Sequence, residues 1–211
     1  MPTTSNRRRL LAAGCLAALA LFFLTNPFTR ILVRGVATSD VMIALRGFAA
    51  PLHMVLLIGS VFGIMQILRV RADSAGLIGG TLTLMGWTAG VRILGLGQLE
   101  SLLASGGTDV PPNTLGALLG AAPLVHVSIV HMGILFPIGL ITMGATIAVT
   151  GVIPRPIGVI LAVGGFLFPV GRIGSLAWAF HSCDLLLGAA FALIAWQVAT
   201  RPELWDDGRP A

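Results

Sequence analysis

Apolar residues in this chain come in long unbroken runs, separated by short stretches that carry the arginines, glycines and prolines. A helix needs roughly 20 apolar residues to cross about 30 Å of hydrocarbon. Six runs reach or approach that length: 10–25, 48–68, 75–96, 122–149, 156–170 and 175–200. The first and fifth are short and would thin the bilayer locally or extend into their flanks. Strand-type alternation is absent, and a run without a polar face suits a helix surrounded by lipid or protein. The predicted fold class is all-α, a polytopic transmembrane bundle of about six spans. Residues 1–9 form a basic tail, 10–200 the transmembrane domain and 201–211 a second tail.

Two outer segments exceed simple turns. Segment 26–46 mixes apolar residues with Arg30, Arg34 and Arg46, and Ser39-Asp40 can cap a short helix, VMIALRG, lying along the interface. Segment 97–121 holds Gly106-Gly107 and Pro111-Pro112 as breakers, then a short helix near 113–120; as the longest loop it is the expected lid.

Composition turns this pattern into an exclusion. The chain is 56% hydrophobic and 10% charged, with mean hydropathy +0.95. A soluble domain carries about 25% charged residues, so a water-exposed fold is excluded. All 13 basic residues are arginines, spread between apolar runs beyond the first three, which argues against nucleic-acid binding. Their placement orients the bundle instead. An even number of spans puts Arg7, Arg8, Arg9, Arg69, Arg71, Arg155, Arg201 and Arg209 on one side, and Arg30, Arg34, Arg46, Arg92 and Arg172 on the other, eight against five. The positive-inside rule then places both termini in the cytoplasm. Arg7-Arg8-Arg9 before LLAAGCLAALALFFL has the layout of a secretory signal, with faint twin-arginine and lipoprotein-box features. Cys15 comes too early for a lipoprotein cysteine, and Ala18-Leu19-Ala20 lies inside the apolar run, so the segment reads as an uncleaved span.

Ionisable groups inside a span need a partner, a cavity or a function. All four histidines, His53, His126, His131 and His181, fall in the outer half of predicted spans, as do Arg92, Arg172, Asp184, Trp87 and Trp178. The inner half of the spans carries no charge and no histidine. This asymmetry predicts a polar pocket opening outward, with His53, Arg92, His131, His181 and Asp184 as its lining. His181 and Asp184, three residues apart, share a helix face. Asp184 can orient His181, or it can serve structurally by pairing with Arg92, Arg172 or His181. His126 and His131 project about 140° apart and do not chelate one ion together.

Other chemistry finds little support. H-E-x-x-H and G-x-S-x-G are absent, and Ser182 points away from His181. Cys15 and Cys183 sit in apolar surroundings as small hydrophobes, and the methionines form no M-x-x-M array. The expectation is therefore a protein without catalytic residues or a predicted cofactor. Haem b held by two of His53, His126, His131 and His181 is the alternative, because His53 lies at a depth compatible with His131 or His181. A small transporter is a further alternative, opposed by the apolar inner half. Gly76/Gly80 and Gly86/Gly90 read as tight packing in the third span. Pro51, Pro123, Pro137 and Pro169 are candidate kinks.

The stretch GILFPIGLITMGATIAVTGVIPRPIGVILAVGGFLFPVG ends one helix in a V-x-P-R turn and continues in a glycine-rich helix. It resembles a pattern common to uncharacterised bacterial multi-pass membrane proteins, and PLHMVLLIGSVFGIMQILRVR is similar to their second helix. The resemblance covers residues 48–172 and implies architecture and a bacterial inner-membrane location, with no functional residue. The functional expectation is a ligand-binding, sensory or accessory protein whose partners are the bilayer and a small molecule.

Overall fold

A computed structural model describes residues 4–32, 40–105, 123–172 and 174–205, with side chains over 4–25, 52–88, 132–172 and 174–205. Apart from short connections, the described residues are helical: α1 (Thr4–Leu32), α2 (Asp40–Ser105), α3 (Pro123–Thr150), α4 (Arg155–Arg172), α5 (Ala177–Thr200) and a 3-10 turn at Pro202–Leu204. Five of the described helical stretches are long and apolar enough to cross a membrane: Thr4–Thr25, Leu52–Thr88, Met132–Thr150, Arg155–Arg172 and Ala177–Thr200. The all-helical expectation therefore holds, with five such helices where the sequence suggested six.

The difference lies in α2, which takes in the second and third predicted runs. Its 66 residues would extend about 100 Å if straight. Instead Ala72 leaves helical geometry, with φ −157° and ψ 55°, and the chain folds back. His53 and Trp87 would lie about 50 Å apart in one straight helix, yet their ring centroids are 4.4 Å apart. Gly76 and Gly80, on the second arm of α2, pack on Leu68, Met65 and Val61 of the first, where a Cβ would collide. A helix assignment running through Ala72 thus joins two antiparallel arms.

Neighbouring helices pack in chain order from α1 to α5, and α5 closes back on α1. The ring is drawn tight by missing side chains. A Cβ on Gly86 would overlap the backbone nitrogen of Phe136 in α3. Between α3 and α4, a Cβ on Gly144 would stand 2.6 Å from the Gly158 carbonyl oxygen. In lipid, where burial gives no hydrophobic gain, such close approach supplies the dispersion that holds helices together. Inside the ring, Phe23, Leu57, Phe136, Leu140, Met143 and Phe191 are fully buried, whereas Phe62, Val149, Phe166 and Trp196 face outward. An apolar core with an equally apolar exterior is the distribution a bilayer tolerates and water does not.

Hydroxyls within the spans are satisfied locally. Ser60 donates to the Leu56 carbonyl at 2.7 Å, Thr83 to Gly79 at 2.8 Å and Thr146 to Thr142 at 2.7 Å. Each uses the carbonyl four residues earlier, which keeps the group paired without reaching across helices. Pro137 and Pro169 stand inside α3 and α4 without ending either.

One end of the bundle gathers arginines. Arg9 donates to the Ala199 carbonyl at 3.4 Å, so the beginning of α1 lies beside the end of α5. Arg71, next to the Ala72 turn, donates at 3.0 Å to the Thr150 carbonyl, one of the acceptors left open at the end of α3. Gly151, at φ +60°, then donates to Ile147 at 2.9 Å and turns the chain toward α4.

Candidate functional site

At the other end of the bundle, aromatic and ionisable side chains from every helix form one connected layer. The first arm of α2 contributes His53, 5% exposed. Its imidazole packs against Phe22 and Phe23 of α1, with centroids 4.0 and 5.3 Å away, and against Trp87 of the second arm at 4.4 Å. Trp87 continues to Phe136 of α3 at 5.0 Å, and Phe136 to Phe168 of α4 at 4.7 Å. The Arg172 guanidinium follows, 4.5 Å from the ring centroids of both Phe168 and Phe180. Phe23 also stacks on Phe191 of α5 at 5.8 Å, which closes the layer.

Arg172 and Asp184 brace the α4–α5 hairpin. Arg172 Nη2 donates to Asp184 Oδ1 at 3.0 Å, with the carboxylate fully buried and the arginine side chain 31% exposed. Of the three partners the sequence offered Asp184, the structure places Arg172 in contact. The two rings lie against the guanidinium, each cation–π contact contributing about 0.5–2 kcal/mol. The charge is thus shared with a carboxylate inside the layer, while the Arg172 side chain stays partly exposed.

The free hydrogen-bonding capacity lies elsewhere in the layer. His53 Nε2, Trp87 Nε1 and His181 Nδ1 are buried and find no partner among the described residues. Leaving a polar group unpaired in an apolar interior costs about 1–3 kcal/mol, so two such atoms on touching rings are a built-in cost. Indole nitrogen only donates, whereas the imidazole nitrogen donates or accepts according to tautomer. The pair is equipped to hold an oxygen-bearing group. Elsewhere the thiol of Cys183 is taken up by the Gly164 carbonyl at 3.3 Å. Among the described residues, no group of three or more His, Cys, Asp or Glu is positioned to hold a metal ion.

Of the lining residues expected from sequence, His53, His181 and Asp184 lie in this layer. Arg92 is on the second arm of α2, and His126 and His131 on α3, with side chains outside the described residues. Sequence reasoning missed Trp87 as a neighbour of His53, and it gave Arg172 only a supporting part. Arg172 was within reach of it: a short connection between two spans sets residues about equally far from the turn side by side. The Trp87 contact depends on how far α2 folds back, which no local signal encodes.

Comparison of the chain with protein-family models, with curated proteins and with solved structures found no match. The functional reading therefore rests on the geometry of the layer.

Proposed function

We propose that the chain is a six-crossing protein of the bacterial inner membrane that binds a small ligand within its outward-facing layer. Six crossings follow from counting the two arms of α2 separately. The Arg9 contact with Ala199 supports this count, since an odd number of crossings would leave the two ends of the chain on opposite faces. The arginine-rich end, with Arg9, Arg71 and Arg155, is then cytoplasmic by the positive-inside rule. The resemblance to bacterial multi-pass proteins supports the choice of membrane.

The observation that carries the ligand reading is the buried His53–Trp87 contact, in which both rings hold an unpartnered nitrogen. Buried polar atoms are nearly always paired, and the exceptions call for a reason. A ligand that completes these bonds supplies one. His53, Trp87, His181 and the Arg172–Asp184 pair form its surroundings, joined by Arg92 and His131 in the proposed pocket. Such a protein acts as a sensor or accessory subunit, with binding as its activity. Native mass spectrometry of the protein released from its own membranes tests this. Wild type is expected to carry a small-molecule mass that His53→Leu and Trp87→Phe lose; an identical bare spectrum for all three overturns the reading.

Haem b is a second reading that one observation favours: Nε2, the free atom of His53, is a nitrogen through which histidine binds iron. The second axial ligand would come from His126, His131 or His181. Absorption spectra after haem-replete expression decide it, because a Soret band that disappears in His53→Leu would establish haem and its absence removes it.

A further inference from the structure

Accepting that the layer binds a ligand, its chemistry narrows what the ligand is. Trp87 Nε1 can only donate, so the ligand presents an oxygen acceptor there. His53 Nε2 either donates to a carbonyl or accepts from a hydroxyl, so the same site suits a molecule that exchanges one for the other. Around both atoms the surface is aromatic, with Phe22, Phe23 and Phe136 in contact with the pair. Offset and edge-to-face packing of this kind favours a flat conjugated ring over a flexible acyl chain. The adjacent cation, Arg172, is already paired with Asp184, so the site calls for no net charge on its ligand. Both polar atoms lie within predicted membrane-spanning stretches, which points to arrival through hydrocarbon and hence to a lipid-soluble molecule.

Among the described residues, the layer is sparsely covered on one side. Gly133 stands three residues before Phe136 and seven before Leu140, on the face of α3 that is buried at both. Among the described residues, a Cβ at Gly133 would meet nothing within 4 Å, whereas one at Gly139 of the same helix or at Gly86 of α2 would strike backbone. The gap sits one turn beyond the ring that touches Trp87.

From these observations we propose that His53 and Trp87 form the head-group site of a lipid-soluble quinone or quinol, with the ring reaching them along the Gly133 side of α3. The quinone carbonyl takes the indole N–H and an imidazole N–H; the quinol hydroxyl takes the indole N–H and donates to the imidazole. One pair of side chains thereby serves both redox forms.

The test uses the full chain in nanodiscs, titrated with menadione and with a decyl-substituted benzoquinone, read as the rise in unfolding temperature. Decylbenzene, which has the tail and ring but no oxygen, is the control. Both quinones are expected to raise the unfolding temperature and decylbenzene is not. Trp87→Phe, which keeps the ring and loses the donor, is expected to bind at least fivefold more weakly, as is His53→Leu. Gly133→Leu, which fills the gap and leaves both polar atoms in place, is expected to bind more weakly while unfolding no earlier than wild type. Equal stabilisation of wild type and all variants would mean partitioning into the bilayer alone and overturn the proposal. If the quinones have no effect but the native mass spectrum shows a His53-dependent ligand, the quinone assignment fails and the binding site stands. If neither measurement shows a ligand, both fail and the nitrogens are left to an internal water.

Discussion

Each ionisable or polar residue in the aromatic layer has a different account to give of its presence in a membrane. Asp184 is buried beside Arg172, and breaking a buried pair from one side costs about 3–5 kcal/mol because it strands the other charge. The two sides are unequal here. Arg172 is partly exposed and can turn outward, whereas Asp184 has no exposure, so Arg172→Leu is expected to destabilise more than Asp184→Leu. The double substitution should recover much of the loss; thermal unfolding of all four proteins in detergent checks it, and strictly additive single effects would show that the pair is not coupled. Trp87 behaves in the opposite sense. With its N–H unpaired, Trp87→Phe removes a desolvation cost and is expected to leave the ligand-free protein as stable as wild type or up to about 1 kcal/mol more so. A fall of several degrees in unfolding temperature would show that the N–H is already in use. Function kept at the expense of stability is common at binding sites, and this is the pattern the residue would follow.

At the scale of helices, the bundle is closed by the absence of side chains as much as by their presence. Gly86 lets α2 come so near α3 that any Cβ would land on the Phe136 backbone, and backbone cannot rotate out of the way. Gly86→Ala is therefore expected to destabilise by about 2–3 kcal/mol and, because Phe136 carries Trp87, to weaken ligand binding as well. Gly14→Ala is the matched control: among the described residues nothing lies within 4 Å of a Cβ there, and alanine favours a helix over glycine by about 1 kcal/mol. Unfolding curves for the two variants should shift in opposite directions; a similar shift in both would assign the Gly86 effect to helix propensity. Gly76 and Gly80 act in the same way, since both sit where the second arm of α2 crosses the first.

For the molecule as a whole, the turn at Ala72 decides the topology. In the proposed arrangement each arm of α2 crosses, giving six crossings and both ends on the arginine-rich face; with a single crossing they would lie on opposite faces. Single cysteines introduced at Asp73 and at Ser175, in a background lacking Cys15 and Cys183, distinguish these cases in intact cells. Ser175, exposed in the α4–α5 turn, is expected to react with an impermeant maleimide from outside, and Asp73, beside the α2 turn, only after permeabilisation. Labelling of both from outside would break the six-crossing arrangement.

What could be read from the sequence alone, and what could not, follows from the range of the forces involved. Hydrophobic run length determined that the chain is helical and membrane-embedded, because each helix satisfies its own backbone within the run. Common depth along the spans made Arg172, with Arg92 and His181, a candidate partner of Asp184 before any packing was known. The fold-back at Ala72 was legible as the polar stretch 69–74 between two apolar runs, whereas how closely the two arms of α2 meet was not. Nor was the contact of His53 with Phe22, Phe23 and Trp87, which come from different stretches of chain. Depth along a helix is a local property and placed the histidines in one layer. Which faces meet across that layer is set by the rotation of each helix about its axis, and only the tertiary packing, through the glycines that let backbones touch, decided it.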